Sequence, residues 1–436
     1  MKNKKHRSEK GQAMYLMVIG IVVLVGFTGL SIDGGRLYSD RRQAQSVADN
    51  AAFAAASVVA RNKLNGNDGP TGGWNGSSLF NRAKRAANEI LTDNGYGNSD
   101  SNVTNLSVTL TKQTDQGTYF EIIVEFDSTI PPTLIQVVYG GELISHSFAK
   151  VHIRPKVNLS FGYGMYALND HECDALSIGG NITVDVDNTG IFSNSDGQNG
   201  TCSSADYGGS SQIDIEEDFT AAGTIDINGS GTGGSFSTGS TVENAPQQTI
   251  PYIPTPDCSG LPAVTQTNSG GTWNYTPGVY SGNLGIHNQI HIFAPGMYCI
   301  TGDFTVTGGD VIGTDLFFYL STGKLSINGG PVDVAAAPKG VSTTIDASGN
   351  DWGGMLFYLD KNNSSAVNLN GNAGSVFRGT LFAPASECTI NGGNTTDGFQ
   401  TQVVCNTIKL SGTADIWINM DAATYYEPPA TLDLIQ

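Results

Sequence analysis

LSINGGP, residues 325–331, is a short apolar-alternating run that ends in a glycine pair, and the chain repeats that texture. LSIGGN (176–181), IDINGSG (225–231), FTVTGGD (304–310), VNLNGNA (367–373), CTINGGN (388–394) and IKLSGTA (408–414) share it. Each reads as a short strand with Leu, Ile or Val pointing inward, closed by a Gly/Asn turn. Such units suit a solenoid of stacked coils, where each coil buries its inner face against the coils above and below. Glycine and asparagine supply the left-handed corners between strands. The spacing is irregular, so a β-sandwich is the competing reading. One proline-rich stretch, ENAPQQTIPYIPTPDCSGLP (243–262), breaks the series and reads as an extended strap over the surface.

Working outward, 436 residues suggest two or three domains. Glycine is abundant at 56 residues, against a usual share of about 7%. Charged residues are sparse at 14%. Both features point to a turn-rich, mainly β chain. The net charge of −18 is unevenly spread: residues 1–63 carry a balance of +6 and residues 157–436 a balance of −22. So acidic a C-terminal part would repel phosphate backbones, which argues against nucleic acid as a partner. The six cysteines, Cys173, Cys202, Cys258, Cys299, Cys388 and Cys405, show no C-x-x-C spacing and suggest disulfides in an exported chain. Neighbours in sequence would pair 173–202, 258–299 and 388–405, one of about fifteen connectivities; buried free thiols are the alternative.

The N-terminal part has a different character. Residues 1–10 are basic, and Gly11–Ile32 holds no charge for 22 residues, enough for a helix to cross roughly 30 Å of hydrocarbon. The run is longer than the apolar core of a signal peptide and continues into Asp33-Gly-Gly-Arg36 and a long helical pattern, so the segment reads as a retained span rather than a signal peptide. The preceding Lys/Arg excess places the N-terminus in the cytoplasm and the bulk of the chain outside, at the cell surface. From Arg36 to Lys63, Leu37, Ala44, Val47, Ala48, Ala51, Ala55, Val58 and Val59 recur at helical spacing. That small-residue face has two readings, packing in a multi-helix assembly or against the chain's own next domain. NGNDGPTGGWNG (65–76) is a linker. A small α+β domain follows. It has a helix over Ser78–Asp93, strands over Val103–Thr111 and Tyr119–Phe126 joined by a turn at Asp115–Gly117, a short helix in PPTLIQVVYG, and a strand over Leu143–Ile153. The expected organisation is a leader (1–10), a membrane helix continuing into the Ala-rich helix (11–63), a linker (64–77), the α+β domain (78–156), a β-solenoid (157–421) and a C-terminal tail (422–436).

SEKGQAMYLMVIG, SIDGGRLYSDRRQAQSVADNAAFAAA and EIIVEFDSTIPPTLIQVVYGG, in that order, resemble the TadE/TadG-like proteins of Flp (Tad) pilus assembly over residues 8–153. The resemblance implies a single-pass, pilin-like protein with a turn at Asp33-Gly-Gly-Arg36, and Gly11 followed by Gln12 as the processing candidate. The fifth residue after Gly11 is Leu16, where pilins of this broad class carry a glutamate. That departure points to a minor or accessory subunit. Further on, YALND (166–170), TPGVYSG (276–282), FAPGMYCITGDFTV (293–306), FRGTLFAPASECTINGG (377–393) and TQVVCNTIKLSGTADI (401–416) resemble right-handed parallel β-helix modules and, more loosely, the pectate-lyase-like scaffold.

That scaffold raises the question of an enzyme, and the expectation is that the chain is not one. A lyase needs a base and cations, but only Lys324, Lys339, Lys361, Arg378 and Lys409 are present after residue 157; Arg378, the best placed, reads as one outward arginine on a strand. Paired carboxylates for hydrolysis abound without any pair standing out. His287 and His291 are spaced to share a strand face, with no third metal ligand evident. Asp185, Asp187 and Asn188 (DVDN) form a calcium candidate, and DIEED (214–218) is a second acidic cluster; solvated acid is the competing reading. Trp74, Trp273, Trp352, Trp417, Tyr425 and Tyr426 suit either a carbohydrate platform or the solenoid core. No cofactor is expected beyond structural calcium. The expected function is a pilin-like cell-surface protein displaying an acidic β-helix for adhesion, with the membrane, other pilus subunits and a surface polysaccharide or protein as partners. A membrane-tethered polysaccharide lyase or glycosidase and an anchored structural protein unrelated to pili are the alternatives.

Overall fold

The computed structural model describes residues 10–61, 78–113, 119–137, 139–154, 159–228, 240–340, 342–370, 375–391, 399–412, 416–419, 425–428 and 430–435. The leader at 1–9, the linker at 64–77 with its Trp74, and the turn at 115–117 lie outside the described residues. The chain forms two compact units, residues 1–156 with 430–436, and residues 157–429.

In the first unit, α1 (Lys10–Ala60) is one helix of 51 residues. It runs straight through Asp33-Gly34-Gly35-Arg36, where the family resemblance implied a turn. The glycine pair breaks nothing because no proline removes a backbone donor there, and the cost of glycine in a helix is only about 1 kcal/mol each. The helix changes partner along its length. Met14–Val25, Phe27, Leu30 and Ile32 are largely exposed, whereas Ala44, Val47, Ala48, Ala51, Ala52, Ala55, Ala56 and Val59 are buried. They pack against Phe80, Ala83, Ala87 and Leu91 of α2 (Ser78–Asp93) and against the inner faces of β2 (Tyr119–Ile130) and β3 (Leu143–Arg154). The small-residue face is therefore used by the chain's own domain, because alanines let α1 approach both layers closely. Replacing Ala52, 0% exposed, by leucine is expected to cost about 1–3 kcal/mol by overpacking, read as a lowered melting temperature in detergent.

β1 (Val103–Gln113), β2 and β3 form an antiparallel meander with alternating burial. A fourth strand, Thr431–Ile435, pairs antiparallel with β3 from Arg154 to Lys150. The end of the chain is therefore not a tail: its strand covers an otherwise open sheet edge, which satisfies that row of backbone groups. Beyond Lys150 the edge is closed differently. Gln45 of α1 donates to the Phe148 carbonyl (2.7 Å) and accepts from its N–H (3.4 Å). Asp40 accepts from the Tyr96 hydroxyl (3.0 Å) and the Ser128 hydroxyl (2.6 Å), fixing α1 to the domain. The expected helix in PPTLIQVVYG is one 3₁₀ turn, Ile135–Val137.

The second unit is a stack of parallel coils closed around an apolar core. Its repeats fall on one ladder. Ile286, Val306, Ile327, Leu369, Ile390, Leu410, Ile178, Tyr207 and Ile227 lie successively in register. All seven quoted stretches contribute to it, together with two further strands, Leu284–Ile286 and Ala205–Gly208. Among the described residues the strands of this unit pair in parallel apart from the hairpin of Gln266–Ser269 with Thr272–Tyr275 and a single bridge between Ile345 and Asp351, which excludes a β-sandwich. The spacing is irregular because the chain leaves the stack between Ala336 and Met355 on an excursion carrying Trp352.

The stacking order is not the sequence order. Tyr166 is paired on one side with Val404 and on the other with Phe192, so the chain enters the stack in its middle. It coils to one end at Val242 and restarts at the other end near Val279. From there it coils back to Val404. Residues 243–262 make the long return along the outside.

Candidate functional site

That return has a physical reason. A second ladder, Val279, Cys299, Tyr319, Tyr358, Phe382, Val404, Tyr166 and Phe192, faces outward and would leave an apolar stripe on the barrel. Ala245, Ile250, Ile253, Cys258 and Leu261 of the strap pack over it, joined by Trp352 and Tyr426. Trp352 is stacked between Phe317 (5.0 Å between ring centres) and Tyr426 (5.4 Å). Trp352 and Tyr426 thus belong to a second core outside the barrel, neither an exposed carbohydrate platform nor the solenoid interior. Trp273 instead lies partly exposed beside His291, its indole N–H donating to Gln289 (2.7 Å).

Polar contacts pin the strap at both ends. Near its start the Gln248 N–H donates to the Asn194 side chain (2.7 Å), and the Gln247 amide donates to the Asp170 carbonyl (2.7 Å). Near its end Asp346, 5% exposed, accepts from the Asp257 N–H (3.1 Å), the Asn350 N–H (2.9 Å) and the Trp352 indole (3.0 Å). Burial opposes the charge on Asp346, but the hydrogen bonds from Asn350, Asp257 and Trp352 outweigh it and hold the carboxyl below its ordinary range. A depressed carboxylate stabilises the fold above the unfolded value of about 3.9, and that contribution is lost as pH falls through the lower folded value. The strap is expected to gain protease sensitivity only below about pH 4, and Asp346→Asn is expected to flatten that dependence. Limited proteolysis across pH checks both.

The six cysteines form three disulfides, Cys173–Cys202, Cys258–Cys299 and Cys388–Cys405, the sequence-neighbour pairing. They close loops of 29, 41 and 17 residues. Loops of that size contribute about 3–4 kcal/mol each in the chain-entropy account. Cys258–Cys299 ties the strap to the outward ladder, and Cys388–Cys405 lies in the apolar interior.

The other candidates are placed as follows. Asp185 and Asp187 both point outward from one strand, Thr183–Asp187, with Asp185 in register with Asp214. Asp187 accepts the Trp417 indole N–H (2.6 Å). Asn188, at a positive-φ corner, donates its backbone N–H to Glu216 (2.6 Å) and its amide to Asn419 (3.2 Å). Asp218 accepts from the Ser240 N–H (3.0 Å). These groups brace corners between adjacent coils, and among the described residues no group of three His, Cys, Asp or Glu is arranged to hold a metal. His287 and His291 do not share a face. The corner at Asn288 and Gln289, both at positive φ, breaks the strand parity between them. His291 is buried against the Tyr275 hydroxyl (2.9 Å), while exposed His287 contacts Thr307 (2.5 Å). Arg378 pairs with Asp333 (2.7 Å) across neighbouring coils, and Lys409 pairs with Glu387 (2.7 Å).

One acidic feature went unnoticed in the sequence. Asp206 is stacked in register with Asp226, and burial, then the charges of Asp174 and Asp226, raise its carboxyl above the ordinary range. The signal was present in ADYG and IDIN, but it becomes visible only once their register is known.

At the other unit, the first half of α1 offers an uncharged surface on a helix long and apolar enough to cross a membrane. Its base is pinned by Asp33, 1% exposed, which accepts from the N–H groups of Leu134 (2.9 Å) and Ile135 (2.7 Å) and from Thr133. Lys10, Gly11 and Gln12 are in helical conformation at the start of α1.

Residues 11–58 match the family model for Flp pilus-assembly TadE/G-like proteins, a span that coincides with α1. No curated protein and no solved structure matches the chain.

Proposed function

We propose that the chain is a single-pass surface protein of a Flp-type pilus or secretion system. It is a minor or accessory subunit, with its N-terminus in the cytoplasm and an acidic right-handed β-helix displayed outside as a surface for adhesion or partner binding. The observation that carries this reading is the change of partner within α1. The small-residue face from Ala44 to Val59 is consumed by the chain's own domain, and Met14–Ile32 is the largely exposed apolar run that remains for lipid or for the stems of other subunits. The match to the pilus-assembly family over residues 11–58 supports the pilus context. Leu16, apolar and exposed, leaves the lower helix without an internal carboxylate through which to set a filament register. Display rather than catalysis is supported by the ion pairs that engage Arg378 and Lys409 and by the disulfide-tied strap.

Membrane extraction and mass spectrometry of the surface fraction test the reading. The protein is expected to need detergent for release, and Val23→Arg is expected to shift it to the soluble fraction, since a charge at the centre of a span costs about 2.5–3.5 kcal/mol. A mature terminus at Gln12 supports processing as a pilin, and an intact Met1 makes the helix a permanent anchor. Release by alkaline carbonate alone would overturn the membrane-spanning assignment.

A further inference from the structure

We propose that the loop Pro131–Val137 is a second membrane contact, seated at the hydrocarbon–headgroup boundary beside α1, so that lipid fills the groove between loop and helix. The inference rests on the membrane-spanning reading of Gly11–Ile32 and adds where the lipid surface meets the first unit.

Depth comes first. A β-carbon placed on Gly29 would lie 3.0 Å from the carbonyl carbon of Leu134 and 3.1 Å from the nitrogen of Ile135, so the loop backbone rests directly on the helix there. At 1.5 Å per residue, about 20 residues counted from Gly11 cross about 30 Å of hydrocarbon. The outer edge of that layer then falls at Gly29–Ile32, the level of the contact.

Composition agrees with that depth. No charged residue occurs from Ser128 to Gly141. Leu134 is 40% exposed where the loop meets Gly29, Phe27 and Leu30 on the helix are 67% and 56% exposed, and Tyr139, 47% exposed, donates its N–H to the Ile135 carbonyl. Between loop and helix lies a groove of about 330 Å³ walled by Val22, Val23, Gly26, Phe27, Leu30 and Ile135. Tyrosine is favoured at the membrane–water boundary. Arg36, about half exposed, lies about one turn beyond Ile32, within reach of lipid phosphates, and the exposed Arg41 and Arg42 lie about a turn and a half further up the helix.

The backbone chemistry also fits. Irregular chain at membrane depth is tolerated only where its N–H groups are satisfied. Pro131 and Pro132 have none, and the next three donors, on Thr133, Leu134 and Ile135, all point to the Asp33 carboxylate. Asp33 thus pins the loop and leaves an uncharged outer surface, on which Pro131 and Leu134 are exposed and the exposed Gln136 amide is turned back to the Pro132 carbonyl.

Nitroxide labelling tests this on the full-length protein in phosphatidylethanolamine–phosphatidylglycerol vesicles. All six native cysteines are in disulfides, so labels attach to introduced thiols at Leu134→Cys, Val23→Cys and Asn98→Cys. The label at 134 is expected to collide with oxygen several-fold more, relative to a polar nickel chelate, than the label at 98. A 134 label that behaves like 98 while 23 stays lipid-like would overturn the loop contact and leave the span intact. A water-exposed 23 would remove the span and the inference together. Strong spin–spin broadening between copies at 134 would assign the groove to a second stem helix and overturn the lipid assignment.

Discussion

Gly330→Ala is expected to destabilise the parallel-coil unit by about 4 kcal/mol, combining backbone strain with a corner clash. Gly330 has φ +74°, and its β-carbon would fall 1.9 Å from the Gly309 carbonyl oxygen, the matching corner of the adjacent coil. A left-handed alanine by itself costs about 1–2 kcal/mol. The remainder comes from forcing two backbone corners apart in a stack whose coils are held by the same ladder on both sides. Gly340→Ala separates the two contributions: φ is +81° there, but nothing lies within 4 Å of the added carbon. It is expected to lose only about 1–2 kcal/mol. Urea unfolding in detergent compares the two, and equal losses would show that stacked corners have room to relax.

Trp352→Ala is the second large effect, about 3–5 kcal/mol for removing a buried large aromatic. The side chain is 0% exposed between Phe317 and Tyr426, and its indole N–H is one of the donors to Asp346. The loss is therefore expected in two readouts, a lower unfolding midpoint and faster cleavage within 243–262 at neutral pH. Trp273→Ala, at a partly exposed position, is expected to stay below about 1.5 kcal/mol and to leave the strap protected. A Trp352→Ala protein with an intact strap would show that the Cys258 disulfide and the contacts of Gln247, Gln248 and Asp257 hold it without the tryptophan.

What could be read in advance was local. The alternation in LSINGGP and its relatives sets strand, inward face and corner together, and those stretches share one ladder. The helical period from Arg36 onward identified the buried face, including Ala44, Ala48, Ala51 and Ala55, without identifying what covers it. Histidine parity failed between His287 and His291 because two positive-φ residues intervene, and a side-chain period holds only within one strand.

By itself, then, the sequence determined the two long helices, the first three strands and the repeated strand-and-corner units, which of their faces are apolar, and that an uncharged helix leads into an acidic, glycine-rich chain. Tertiary structure alone decided which segments meet. It stacked Tyr166 on Val404, brought Thr431–Ile435 back to β3, set Asp33 under Thr133–Ile135, and laid the strap over the outward aromatics. The physical reason is that periodicity encodes backbone conformation residue by residue, whereas the inner faces of the coils are chemically interchangeable. Which coil stacks on which depends on the summed packing and edge pairing of distant segments, and no short stretch carries that information.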